Sequence, residues 1–168
     1  MLTKNDFTVA DWNTLRDTQY LVGLATLVAE PSGLGTIKES IALARGIVEN
    51  QASQYPLIRD MTNKMEMEAA QVSLRQRFGA SQAKPSTEAL QQTALEQVQA
   101  AMSILSGKAS TEESDAYSKL LYALAEKVAN ASREGGFLGF GGKRVSAAEQ
   151  NFLDRLRDTL QLERVSKA

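Results

Sequence analysis

The stretch TVADWNTLRDTQYLVGLATLVA, Thr8 to Ala29, decides the fold. Thr8 stands where a helix N-cap belongs, with Asp11 three residues on in a capping arrangement. Trp12, Leu15, Val22, Ala25 and Ala29 then recur at helical spacing. The second half of the stretch is apolar on nearly every side, so this helix is expected at the centre of the molecule. Its apolar run, Leu21 to Ala29 between Asp17 and Glu30, is far shorter than the roughly 20 residues of a membrane-spanning helix. A central helix must be surrounded by others, and the flanking sequence provides them.

After Pro31-Ser32-Gly33-Leu34-Gly35, the pair Thr36 and Glu39 reads as a capping box. Ile37, Ile41, Ala44 and Val48 then form the stripe of a second helix that reaches to about Ser53. Pro56 suits a helix's first turn, and Leu57, Met61, Met65, Glu68 and Val72 share one face of a third, with Ile58 and Ala69 beside it. Gly79 to Ser86 is polar and turn-rich and is expected to be a mobile linker inside a single domain spanning 1–168. Leu90, Ala94, Val98, Ala101 and Leu105 give a fourth stripe, ended by Gly107. Ser110 with Glu113 caps a fifth through Tyr117, Leu120, Leu121, Leu124 and Val128, and Ser146 with Glu149 caps a sixth through Phe152, Leu153, Leu156 and Leu160. Pro occurs only at positions 31, 56 and 85, each at a break in periodicity. No alternating β-branched run competes. The expected fold is all-α, a single bundle of five or six helices.

The chain has 168 residues with 19 basic and 20 acidic side chains, and neither Cys nor His. That length is enough for one sizeable core without disulfides or metals. Missing thiols and imidazoles remove thiol nucleophiles, redox pairs, thiolate or imidazole zinc sites and any imidazole-based triad. The balanced charge offers no bulk attraction to nucleic acid. The polar, acidic start Met1 to Asp6 does not read as a secretory signal, and the chain reads as cytoplasmic.

No cofactor or metal is expected. Glu112, Glu113 and Asp115 scatter around a helix start, where the macrodipole alone favours acidic residues. Met61, Met65 and Met67 could suggest soft-metal ligation, but only the first two share a face and core filling is their usual use. Ser81-Gln82-Ala83-Lys84 matches Ser-x-x-Lys by letter inside the polar linker, without the accompanying motifs. Arg75 with Arg77, and Arg155 with Arg157, read as solvated faces.

Five of the 11 glycines fall in Gly135-Gly136-Phe137-Leu138-Gly139-Phe140-Gly141-Gly142, followed by Lys143-Arg144-Val145-Ser146. A phosphate cradle fails on spacing, because a P-loop needs Gly where Phe137 stands and Ser or Thr where Arg144 stands. Two readings remain. The aromatics cap the core while the glycines turn the chain, which is the commoner fate of aromatic side chains. Alternatively the loop is an apolar contact tip, which makes Gly136, Phe137, Leu138, Gly139, Phe140, Gly141, Gly142, Lys143 and Arg144 the candidate interaction loop.

Ala125 to Ala131, Glu134 to Gly142 and Val145-Ser146-Ala147-Ala148-Glu149, with Glu30 to Gly33 and Lys38-Glu39, resemble an uncharacterised family of small bacterial helical proteins with this box near their C-termini. That resemblance covers most of the chain and brings no activity with it. More distantly, the last quarter is similar to TerB-like domains, helical modules linked to tellurite resistance. Ala125 to Ala131, Val145-Ser146, Glu149 and Leu153 to Leu156 match their order. Ser132-Arg133 and the glycine loop replace the acidic Asp-Gly turn of those domains, so their acidic metal site does not carry over.

The functional expectation is a non-catalytic interaction or scaffold protein, with a protein partner or a second copy engaged through the loop. The alternative is a module holding a small apolar or anionic ligand between helices near Trp12, Tyr117, Tyr122 and Phe137. No spacing of Asp, Glu, Lys, Tyr or Ser singles out an acid–base pair.

Overall fold

The fold was read from a computed structural model that describes residues 1–28, 34–79, 85–131 and 145–162, with backbone alone at 34–40 and 79. Among the described residues there are seven α-helices and no strand: α1 Val9–Leu27, α2 Leu34–Glu49, α3 Pro56–Thr62, α4 Lys64–Gly79, α5 Thr87–Ser106, α6 Thr111–Ala131 and α7 Ala147–Thr159. A 3-10 turn, Lys4–Asp6, precedes α1, and another, Asn50–Ala52, follows α2.

Local chemistry sets most of the boundaries. The Thr8 side chain accepts from the Asp11 N–H at the start of α1. Ser110 with Glu113 and Ser146 with Glu149 each exchange side-chain and backbone hydrogen bonds at the starts of α6 and α7. Pro56 occupies the first turn of α3, and Gly107 closes α5. Ser86, expected in the linker, is the N-cap of α5 and accepts from the Ala89 N–H. Residues 80–84 of that linker lie outside the described residues.

α1 is central. From Leu15 to Gly23 every one of its residues is buried, polar ones included. α5 and α6 pack most closely on it, α4 and α2 cover further sides, and α7 closes against α5 and α6. α5 runs antiparallel to α1: the Thr87 hydroxyl donates to the Val28 carbonyl at one end, and the Lys108 ammonium to the Asp6 carbonyl at the other. α6 starts beside the start of α1, where the Tyr117 hydroxyl donates to the Leu15 carbonyl over 2.9 Å.

Three sequence expectations are corrected. The third helix is split at Asn63, which raises the count to seven. Asn63 is extended (φ −68°, ψ 161°), and its side-chain oxygen accepts from the Glu66 N–H, so it ends α3 and caps α4. The break changes the helical phase, turning Met65 and Val72 outward (77% and 53% exposed) and Glu66, Ala70 and Leu74 inward. Met61 and Met65 therefore share no face. In α2 the backbone is already helical at Leu34, so Thr36 lies inside the first turn and is not its cap. The buried face of α2 is Leu43, Gly46 and Ile47, while Ile41 and Val48 face solvent at 46% and 49% exposure. Glycine favours this: a Cβ on Gly46 would stand 2.7 Å from the end of the Leu124 side chain of α6, so the close approach that buries its neighbours is reached without displacing that side chain.

Candidate functional site

Among the described residues, a linked group of polar side chains, most of them buried, lies where the N-terminal segment, α1 and α4 meet. α1 contributes Trp12, Arg16 and Asp17, and α4 contributes Glu66 and Ser73. Arg16 and Asp17 lie in the stretch of α1 that is buried throughout, where burial of unpaired charges would be prohibitive. The Asn63 cap supplies the remedy by aiming Glu66 at them. Its Oε2 accepts from the Trp12 indole N–H at 2.9 Å and from Arg16 Nη1 at 3.2 Å, and its Oε1 accepts from the Lys4 ammonium at 2.5 Å. Arg16 Nε donates to Asp17 Oδ1 at 2.7 Å, and the Ser73 hydroxyl donates to Asp17 Oδ2 at 2.6 Å. The result is a continuous chain from Lys4 to Ser73.

Burial by itself pushes the Glu66 carboxyl up, but the bonds from Lys4, Trp12 and Arg16 outweigh it and hold the group below the usual glutamate range. Burial likewise opposes protonation of Arg16, and Asp17 and Glu66 more than offset that. Glu66 and Arg16 are thus each held in the charged form by their partners. Beside them, burial pushes the Tyr20 phenol up, and among the described residues its hydroxyl has no hydrogen-bond partner; nor have the buried Gln19 Oε1 and Gln91 Nε2.

Of the four aromatics expected around a ligand, the three among the described residues are committed elsewhere. Trp12 bonds to α4, Tyr117 to the backbone of α1, and the half-buried Tyr122 hydroxyl accepts from Arg157 of α7. Phe137, with the whole candidate loop Gly136 to Arg144, lies outside the described residues, as does Ser81 to Lys84. Glu112 and Asp115 are exposed, whereas Glu113 is buried and caps α6. Among the described residues no three acidic side chains gather as a metal set.

The arginines expected on solvated faces divide. Arg75 and Arg77 are exposed, but Arg77 donates to Gln97 of α5. Arg155 and Arg157 are half-buried: Arg155 donates to Gln92, and Arg157 lies over the Tyr122 ring at 4.8 Å. They fasten α7 to α5 and α6.

Sequence reasoning missed the Glu66 network. Two signals were present: an adjacent Arg16-Asp17 pair within a helix read as core, and Asn63-x-x-Glu66 as a capping pattern. Among the described residues no helix is long and apolar enough to cross a membrane. No protein-family model, curated protein or solved structure matches this chain.

Proposed function

We propose that this chain is a non-catalytic interaction module that binds an amphipathic helix of a partner protein. One observation carries the reading: α2 has two apolar faces and uses one. Leu43, Gly46 and Ile47 are packed against the bundle, while Ile41, Ala44 and Val48 lie exposed on the other side. Their i, i+3, i+7 spacing is that of a helix-docking seam, with β-branched side chains at the two outer positions. The charged groups of the interior support the same reading, since Arg16, Asp17 and Glu66 are tied to one another. The loop Gly136 to Arg144 is the second candidate contact of this module. Cytoplasmic residence belongs to the same reading, and a chain without Cys is compatible with it.

The test is a photo-crosslinking residue at Ala44 of the full chain in its own cells, with and without Ile41→Glu and Val48→Glu. A discrete crosslinked partner lost in the double variant is expected, with the thermal midpoint retained. Absence of any crosslinked species overturns the reading, and a crosslink only to a second copy replaces the partner with a homodimer.

A second reading, a small polar ligand held between α1 and α5, rests on the unpartnered Tyr20 hydroxyl and Gln91 Nε2 on those two helices. A thermal-shift screen in which hits vanish on Tyr20→Phe and Gln91→Leu would support it; hits indifferent to both changes would reject it.

A further inference from the structure

The segment Leu2 to Phe7 is joined to the bundle by polar contacts that each go to a different part of it, and by the side chains of Leu2 and Phe7. The Leu2 N–H donates to Glu113 Oε1 of α6 at 2.5 Å, and the Lys4 N–H to Asp60 Oδ2 of α3 at 3.1 Å. The Lys4 ammonium reaches Glu66 of α4, and Lys108 beyond α5 donates to the Asp6 carbonyl at 2.8 Å. Only Leu2 and Phe7 add apolar contact, both partly buried against the core. The segment has its own internal order, because Asp6 Oδ2 accepts from both the N–H and the hydroxyl of Thr3.

Beneath it lies Trp12, 2% exposed, with the Phe7 ring at 6.1 Å and the Lys4 ammonium at 5.8 Å from its ring centre. The connection is a natural hinge. Phe7 and Thr8 are both extended, and Thr8 already caps α1 with its own side chain, so lifting residues 2–7 breaks no hydrogen bond inside α1.

We propose that Leu2 to Phe7 is a detachable strap, latched by Glu113, Asp60, Glu66 and Lys108, which opens to uncover the Trp12 ring and the Glu66 carboxylate while the helical bundle stays folded. In the closed state Lys4 supplies the cation that both groups face. Opening leaves an indole face beside a carboxylate still held by Arg16, a surface absent from the closed molecule. This inference is independent of what α2 binds.

Local opening of this kind is measurable because its free energy is lower than that of global unfolding. The chain has one Trp, so emission excited selectively from tryptophan reports on the surroundings of Trp12, which the strap covers. The experiment is acrylamide quenching of the full-length protein at neutral pH, comparing the parent with Lys4→Met, Phe7→Ala and Lys108→Met, with thermal unfolding by circular dichroism alongside. An increase in the quenching constant of about threefold or more is expected for Lys4→Met and Phe7→Ala, with melting midpoints within a few degrees of the parent. Native-state hydrogen exchange supplies the second readout. The Leu2 and Lys4 amides should exchange about tenfold faster in Lys4→Met, while amides of residues 15–23 keep the parent's protection. Unchanged quenching, or strap amides that exchange only together with those of α1, would overturn the proposal.

Discussion

At the scale of single residues, Glu66 is the position on which most depends. It is one carboxylate satisfying three donors in a site from which water is largely excluded. Glu66→Ala leaves the Trp12 N–H and part of the Arg16 guanidinium unpaired, and breaking a buried pair from one side costs several kcal/mol. We expect a loss of about 3 kcal/mol in urea-induced unfolding. Arg16 retains Asp17, which keeps the figure at the lower end of the usual range. A loss under about 0.5 kcal/mol, the size of an ordinary surface change, would show that the network is not stabilising. Tyr117→Phe removes the bond to the Leu15 carbonyl without changing shape, and a smaller loss of about 1 kcal/mol is expected. This ranking was only partly legible beforehand. Tyr117 was placed in the core by its helical phase, but nothing in the spacing of Glu66 marks it as inward until Asn63 is known to break the helix.

At the scale of elements, glycine separates two kinds of helix position. Gly23 lies in α1 against Leu43 of α2, and a Cβ there would collide with the Leu43 side chain. Gly107 closes α5 in right-handed geometry with open space around it. Alanine gains up to roughly 1 kcal/mol of helix propensity over glycine, while overpacking costs about 1–3 kcal/mol. Gly23→Ala should therefore lower the unfolding free energy by about 1 kcal/mol, and Gly107→Ala should raise it by about 0.5 kcal/mol. Equal effects at the two sites, read from denaturant midpoints at constant m-value, would contradict this assignment. The Gly136 to Arg144 segment gives an expectation from sequence alone. If Phe137 or Phe140 caps the core, its replacement by Ala costs about 3 kcal/mol; if both serve as a contact tip, each change stays within about 0.5 kcal/mol and weakens binding instead.

At the scale of the whole molecule, charge linkage sets the pH range of stability. Hydrogen bonds from the Thr3 backbone and hydroxyl hold the Asp6 carboxyl below the usual aspartate range, and Glu66 lies below the usual glutamate range. A carboxylate with a lowered folded value takes up its proton first in the unfolded chain. Its contribution is complete above the ordinary values of 3.8 and 4.5 and is lost as pH falls below them. Burial pushes the Tyr117 and Tyr20 phenols up from 10, so the unfolded chain ionises first and stability declines as pH rises past that value. Urea unfolding across pH should give a plateau between these limits. Glu66→Gln should flatten the acid side and Tyr117→Phe the alkaline side; limbs unchanged by both substitutions would assign the linkage to other groups. The sequence by itself determined the helical class, the central place of α1 and the capped starts of α1, α6 and α7, because these depend on periodicity and on hydrogen bonds made within a few residues. Tertiary structure alone decided which face of α2 and α4 turns inward. Local pattern offered α2 an apolar stripe through Ile41 and Val48, but the close approach to α6 at Gly46 buries Leu43 and Ile47 instead. In α4 the cap at Asn63 resets the phase, and the buried charges of α1 then require Glu66 opposite them. The Asn63 cap is a local signal, but the approach of Gly46 to Leu124 and the pairing of Arg16 with Glu66 join residues tens of positions apart, which no window of sequence contains.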